Sequence, residues 1–463
     1  MIHLTIDGEP ITVKEETTIL EAAKLLNVHI PTLCHHEDQA VKAVCRICVV
    51  EVEGQRLLPA ACSTPVTEGM VVKTASPKVI KARKNIMELI LARHPQDCLV
   101  CSKNGSCELQ KVAQDLNMNR PNRYEMQVRD ARFDDSSPSL VRDMSKCILC
   151  NRCVEACSQK QGVMVMAKEN RGFDTVVVPP YGKLLADTSC VNCGQCIQVC
   201  PVGALSVHDD TERIYEQIDA GKYMTVQIAP SVRITLAESL GYKPGTVTTG
   251  KIVLRKIGFQ KVFDSDFSAD LTIMEEGTEF LSRMQNHGVL PLITSCCPAW
   301  VKYCETYGYD QLDHLSTAKS PQQMFAVIKT FFAEKEKIDP KDICSVSVMP
   351  CTAKKFECRR KEFHDSGFQD VDISITVVEL AKMIRTAGIH FEDLEDQEFD
   401  APFGLGSGAG QIFGSTGGVM EAALRTVYEV LTGKTLERLE FTQVRGLEGI
   451  REASLTISGQ EIR

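Results

Sequence analysis

Thr294-Ser295-Cys296-Cys297-Pro298-Ala299-Trp300 sets two adjacent cysteines against a proline and the only tryptophan of the 463-residue chain. A partner stretch follows, Met349-Pro350-Cys351-Thr352-Ala353-Lys354-Lys355-Phe356-Glu357, where Lys354 lies three residues beyond a cysteine. Soft thiolate ligands select iron–sulfur clusters, zinc or copper(I). Both stretches follow runs that read as strands, residues 289–293 and 345–349, and residues 223–228 read as another. Helical patterns fill 232–239, 280–286, 321–332 and 377–384. Strands alternating with helices predict an α/β domain with a parallel or mixed sheet. Sites in such sheets form at the carboxyl ends of the strands.

Composition narrows the function classes. Hydrophobic content of 43% supports folded cores, and the net charge of −9 argues against nonspecific nucleic-acid binding. Cysteine is the outlier, with 21 residues, 15 of them before residue 201 in short clusters. Such spacing reads as metal sites rather than disulfides. The first residues show no basic and then apolar signal segment, and no apolar run approaches the ~20 residues that span a bilayer. A reducing, cytoplasmic setting is expected.

Outward toward the N-terminus, four cysteine sets appear. Residues 1–15 alternate as a β-hairpin around Asp7-Gly8, and Thr17 or Thr18 caps a helix over 19–26. Cys34, Cys45, Cys48 and Cys62 follow, spaced C-x10-C-x2-C-x13-C; hairpin, helix and cysteine loop together resemble a plant-type ferredoxin domain, which implies a 2Fe-2S cluster although the spacing departs from C-x4-C-x2-C, and a four-Cys zinc site is the plain alternative. His35 and His36 read as surface residues. A helix over 77–92 leads to His94, Cys98, Cys101 and Cys107, a set that fits zinc or a 4Fe-4S cluster. Residues 108–140 read as irregular, with Arg120-Pro121-Asn122-Arg123 as a linker. The spacing C-x2-C-x2-C-x3-C then occurs twice, at Cys147, Cys150, Cys153, Cys157 and at Cys190, Cys193, Cys196, Cys200. This is the two-cluster ferredoxin pattern, in which the fourth cysteine serves the other cluster. Cys147, Cys150, Cys153 and Cys200 are therefore expected to hold one 4Fe-4S cluster, and Cys190, Cys193, Cys196 and Cys157 the other.

The two opening stretches resemble the first and second signature motifs of the iron-only (FeFe) hydrogenases, and the resemblance runs from about residue 222 onward. The modules ahead of it resemble those of the multi-cluster members and of the large cluster-bearing subunit of respiratory complex I. The implied fold is a multidomain α+β and α/β chain, with ferredoxin-like cluster domains followed by an α/β hydrogenase catalytic domain. The implied domains are 1–78 (2Fe-2S, plant ferredoxin type), 79–124 (4Fe-4S with one His and three Cys ligands), 125–210 (two-cluster 4Fe-4S) and 211–463 (catalytic). The implied cofactors are one 2Fe-2S cluster, three 4Fe-4S clusters and the H-cluster. The last is a 4Fe-4S cubane joined to a di-iron unit bearing CO, CN and a bridging dithiolate.

The resemblance also implies roles. Cys297 and Cys351 match ligands of the cubane, and Cys296 matches the cysteine that passes protons to the di-iron unit. Lys354 matches a lysine that donates to cyanide. Ala229, Pro230, Ser231 and Met349 match residues lining the site. Glu276, Ser316, Glu279 and Arg283 match a proton relay that starts at Cys296. Read alone, Glu279 and Arg283 are an ordinary i,i+4 ion pair, and Met349 is a core residue. The Gly-rich run 406–418 could suggest a nucleotide loop, yet it lacks a Walker lysine and a clear preceding strand. The family has a matching segment leading into a helix, here 419–429. Cys304, Cys344 and Cys358 match no ligand position and read as buried thiols. The acidic run 391–400 reads as a solvated loop.

A third family motif, carrying two more cysteines, is missing: no cysteine follows Cys358. The end, 455–463, reads as an interrupted strand–turn–strand, so a longer natural chain is expected. The implied function is reversible H2 oxidation and proton reduction in a hetero-oligomer, with electrons relayed to partners carrying flavin, NAD(P) and further clusters, and ferredoxin as a further partner. A formate dehydrogenase partner, or a non-catalytic electron-transfer or cluster-assembly protein, is the alternative.

Overall fold

The computed structural model describes residues 1–119, 123–128, 133–244, 251–390, 394–395, 397–402, 406–415, 417–436, 442–443, 451–457 and 460–462. The chain forms two compact units. One holds Met1–Cys190 and Gly194–His208, the other Val191–Cys193 and Asp209–Arg463.

The first unit opens with the expected hairpin. Ile2–Ile6 pairs antiparallel with Glu9–Val13 across Asp7 and Gly8, both at positive φ. Ile2–Ile6 also pairs in parallel with Val71–Lys73, which pairs with Glu51–Val52. The Ile19–Leu25 helix starts at Thr18, whose side chain and Glu21 form a reciprocal capping box. Its Ile19, Ala22 and Ala23 pack with Leu4, Ile6 and Val72 in a closed apolar core. Ser76 caps the next helix, Pro77–Leu91, with proline in its first turn. The stretch expected to be irregular contains a helix, Glu108–Asp115, whose Leu109 and Val112 are buried. Part of the expected linker, 120–122, lies outside the described residues.

Further on, Leu140–Asp143 pairs antiparallel with both Phe133–Asp134 and Leu205–Val207. That pairing closes the segment on itself and brings the loop at Cys147 to the loop at Cys200. A buried ion pair pins it: Arg142 lies 3.1 Å from Asp134, and both are almost solvent-free.

The second unit is built on a four-stranded parallel sheet, in the order Lys261–Asp264, Tyr223–Ile228, Ile343–Met349, Ile373–Thr376. All seven residues of Ile343–Met349 are buried. Both faces of the sheet are therefore covered, as parallel sheets require. Val226, Ile228, Val346 and Val348 form its core with Leu236 and Leu380 from flanking helices. The longest helix, Ser265–Gln285, follows directly on the strand Lys261–Asp264 and is capped by Asp264.

Two expected elements differ. Residues 289–293 form no strand; only Ile293 makes a bridge, to Leu315. Pro291 cannot donate to a ladder, which disfavours extension there. The helix expected over 321–332 breaks into Pro321–Met324, a 3-10 turn Phe325–Ile328 and a separate helix Phe331–Glu336. Phe325 and Phe332 both pack on Phe263, with ring centroids 5.9 and 5.5 Å away. Tertiary packing of those rings outweighs a continuous helix. The acidic run is partly outside the described residues, yet Asp400 is no solvated charge: it accepts from Val262 N at 2.8 Å and Arg255 at 2.6 Å. Ser415 and the glycines around it lead into the helix Gly418–Thr432, as expected.

Candidate active site and cluster sites

Parallel pairing places the turn after Tyr223–Ile228 beside the turn after Ile343–Met349. The first turn is Ala229-Pro230-Ser231, and Ala229 N donates to Val348 O at 3.1 Å. The second carries Cys351 and then the short helix Ala353–Cys358. Met349 and Ala229 are buried, and Pro230 packs against the position of Gly414, whose added Cβ would lie 3.5 Å away. Cys297 precedes the helix Pro298–Tyr307 and is exposed. Cys351 is close enough for its thiol to feel Cys297, and burial pushes that thiol up. Lys354 Nζ donates to Cys296 O at 2.9 Å and sits 3.0 Å from Glu357. Gln322 ties the same corner down, donating to Lys354 O at 3.0 Å and to Glu357 at 2.8 Å. Cys304, Cys344 and Cys358 are buried thiols, as expected.

A second line of groups leads away from Cys296. The Thr294 hydroxyl donates to Glu276 Oε1 at 2.6 Å and accepts from Cys296 N at 3.4 Å. Burial pushes the Glu276 carboxyl up, against bonds from Thr294, Ser295 N and Ser316 that favour its anion. Ser316 Oγ donates to Glu279 Oε2 at 3.1 Å. Burial would raise Glu279 too, but donors from Thr317, Arg283 and Ser316 outweigh it and hold that carboxyl below the usual range. Arg283 donates to Glu279 at 2.6 Å and to Val289 O, Asp313 O and Leu315 O. The structure thus brings Cys296, Glu276, Ser316, Glu279 and Arg283 into one run. Sequence reading missed Thr294 and Thr317. Thr294 stands in the opening heptapeptide two residues before Cys296, and that position was the available signal. Glu276 and Thr294 also line a cavity of about 820 Å³ with Phe280, Met284 and Val427.

The cluster cysteines are equally ordered. The free Cys34 accepts a hydrogen bond from the free Cys45, and Cys48 lies 3.5 Å from Cys62, so the four thiols stand as two pairs. Two pairs of thiolates suit two irons. His35 and His36 are half-buried beside them, not fully exposed. His94, Cys98, Cys101 and Cys107 line one cavity of about 390 Å³. His94 is buried with Nδ1 unpartnered among the described residues, and its ring also bonds the Lys146 backbone. A buried orphan nitrogen with the ring anchored elsewhere is how metal-binding histidines are held. Burial holds His94 below its usual pKa, which favours the neutral imidazole that binds metal. Cys147, Cys150, Cys153 and Cys200 line a separate small cavity of about 20 Å³, the cross-paired set the spacing anticipates. Cys157, Cys190, Cys193 and Cys196 are half-buried. Among the described residues, no three such side chains converge as on a single metal ion. Iron–sulfur clusters fit these donor sets.

Family models match in the same order: "2Fe-2S iron-sulfur cluster binding domain" over 1–77, "NADH-ubiquinone oxidoreductase-G iron-sulfur binding region" over 83–122, "4Fe-4S dicluster domain" over 146–204, and "Iron only hydrogenase large subunit, C-terminal domain" over 222–463. The chain is 50% identical over 480 residues to NADP-reducing hydrogenase subunit HndD of Solidesulfovibrio fructosivorans, covering 100% of this chain and 81% of that one. It is 41% identical over 467 residues to iron hydrogenase 1 of Clostridium pasteurianum, again covering 100% and 81%. The mitochondrial NADH-ubiquinone oxidoreductase 78 kDa subunit of Neurospora crassa matches at 35% over 206 residues, 44% of this chain and 27% of that one. No helix among the described residues is long and apolar enough to cross a membrane. Matched along its whole length by such relatives, the chain belongs to the iron-only (FeFe) hydrogenases, oxidoreductases acting on H2.

Proposed function

We propose that the chain is the H2-activating subunit of a multi-subunit complex. Residues 211–463 form its catalytic domain, and residues 1–78, 79–124 and 125–210 hold one 2Fe-2S and three 4Fe-4S clusters. The observation that carries this reading is the run of hydrogen-bonding groups from Cys296 through Glu276, Ser316 and Glu279 to Arg283. A scaffold that only moved electrons would need no such line. Cys297 and Cys351 would hold two corners of the cubane of the H-cluster, which when bound supplies the chemistry that breaks and makes the H–H bond. Lys354, an ammonium point charge, and Ser231 would donate to its cyanides, and Met349, Ala229 and Pro230 would shape the wall.

The chain's own part is to manage protons. Cys296 lies beside Thr294 and within the field of Glu276. Glu276, with its carboxyl raised, accepts a proton more readily than an ordinary carboxylate. Glu279, held low, releases one readily toward the Arg283 end. Two carboxylates pushed in opposite directions, with a hydroxyl between, suit stepwise transfer. The 50% identity to an NADP-reducing hydrogenase subunit supports NADP-linked redox partners; flavin, ferredoxin and a cytoplasmic hetero-oligomer belong to the same proposal. The test is H2-dependent dye reduction by the chain produced together with the family's maturation proteins. Activity that falls in Cys296→Ala while the cluster spectra stay unchanged supports the reading. Dye reduction equal to wild type in Cys296→Ala refutes the relay.

A further inference from the structure

The segment 200–203 borders two cluster cavities. Cys200 and Val202 line the small cavity of Cys147, Cys150 and Cys153. Pro201 and Gly203 face the other way. Pro201 O accepts from Glu108 N at 3.0 Å and from Cys107 Sγ at 3.7 Å. Gly203 lines the cavity of His94, Cys98, Cys101 and Cys107. A Cβ added at Gly203 would lie 2.5 Å from Cys101 Sγ. The segment bends at Pro201 and Val202 and turns at Gly203 and Ala204 before the strand Leu205–Val207, which sets Val202 toward one cavity and Gly203 toward the other.

We propose that the Cys200–Gly203 segment is a shared wall between the two cluster sites, and that Gly203 is the position that admits the cluster held by His94, Cys98, Cys101 and Cys107. This rests on the reading of those four residues as ligands. The chemistry behind it is simple. A free Cys101 thiol could rotate away from an added methyl group. A thiolate held by iron cannot, because its position is set by the metal and by three other ligands. The missing side chain at 203 is therefore a requirement of the cluster-bearing state and not of the fold. Gly203 acts as a positioning residue; it supplies no ligand.

The experiment uses the full chain, reconstituted anaerobically with iron and sulfide, reduced, and read by electron paramagnetic resonance and iron content. His94→Ala identifies the signal of this cluster. Gly203→Ala is expected to lose or markedly shift that same signal, and to keep the signals of the remaining clusters. Cluster-free Gly203→Ala is expected to melt like cluster-free wild type, and Val202→Ala to leave the His94-dependent signal in place. Retention of that signal in Gly203→Ala, with unchanged line shape and reduction potential, overturns the proposal. So does loss of every signal together with a lowered melting temperature of the cluster-free chain, which would make Gly203 a folding residue. If His94→Ala removes no signal, the ligand reading itself fails and the proposal falls with it.

Discussion

Lys355→Met is expected to loosen the second signature turn without touching any group of the site. Lys355 is 1% exposed, and its Nζ lies 2.7 Å from both Asp210 and Glu379. Removing one partner of a buried ion pair costs about 3–5 kcal/mol, because the other charge is left bare. The surroundings decide where in that range the cost falls. Asp210 keeps Arg213 and Arg359, each at 3.0 Å, so it stays compensated. Glu379 loses the cation beside it but keeps three uncharged donors: Thr376 N at 2.7 Å, Thr376 Oγ1 at 2.8 Å and Asp210 N at 2.9 Å. The lower end, about 3 kcal/mol, is therefore expected. At about 1.4 kcal/mol per factor of ten, that is roughly a hundredfold rise in local opening. Hydrogen–deuterium exchange of the full chain reads this directly, on peptides spanning Ala353–Cys358 and Val377–Thr386. Peptides of the N-terminal hairpin should exchange as in wild type. Adding Glu379→Gln should recover part of the loss, since the bare charge is then gone. Exchange within about threefold of wild type in Lys355→Met would refute the reasoning, because it would mean that the buried carboxylates need no cation.

Glu276→Gln is expected to lower H2 turnover by about 10²–10⁴-fold, the usual worth of a positioned acid–base group. The same change should not destabilise the chain at neutral pH. Burial raises the folded-state pKa of Glu276, so its contribution to stability is present below the unfolded-state value and lost as pH rises through the folded one; melting curves of both forms between pH 4 and pH 8, a span of about four units around the carboxylate range, check the sign. Thr294→Val should slow turnover and enlarge its solvent isotope effect, and Thr294→Ser should restore both, because only the hydroxyl contacts Glu276. Gly410→Ala should separate the Gly-rich run from the helix that carries Glu276. Its Cβ would fall 2.2 Å from Asp266 O, backbone that cannot move aside, and a drop in melting temperature with faster exchange of both segments is the expected result.

Much of this is legible in the sequence because it is local. The proposed ligand sets rest on cysteine spacing, since a loop of fixed length can wrap a cluster in few ways. Thr18 with Glu21, and Ser76 before Pro77, announce their helices by capping chemistry within four residues. The cross-pairing of Cys200 with Cys147, Cys150 and Cys153 is legible because the repeat carries it. What stays hidden depends on distant partners. Residues 345–349 alternate serine with apolar residues, which reads as a strand with one wet face. Yet Ser347 is buried, and its hydroxyl donates to Gln322 at 2.8 Å. Residues 321–332 have a helical pattern, but the packing of Phe325 and Phe332 on Phe263 breaks it. Thr294 is one threonine among many until folding sets its hydroxyl against Glu276, 18 residues away along the chain. Gly203 looks like an ordinary turn glycine until the strand pairing of Leu140–Asp143 with Leu205–Val207 brings its segment round to Cys101. Spacing by itself marked which residues gather as soft metal ligands, because ligand choice is a property of a few neighbouring residues. The tertiary structure alone decided which carboxyl is raised, which is lowered and which glycine comes to stand against Cys101, because burial and long-range contact set those relations.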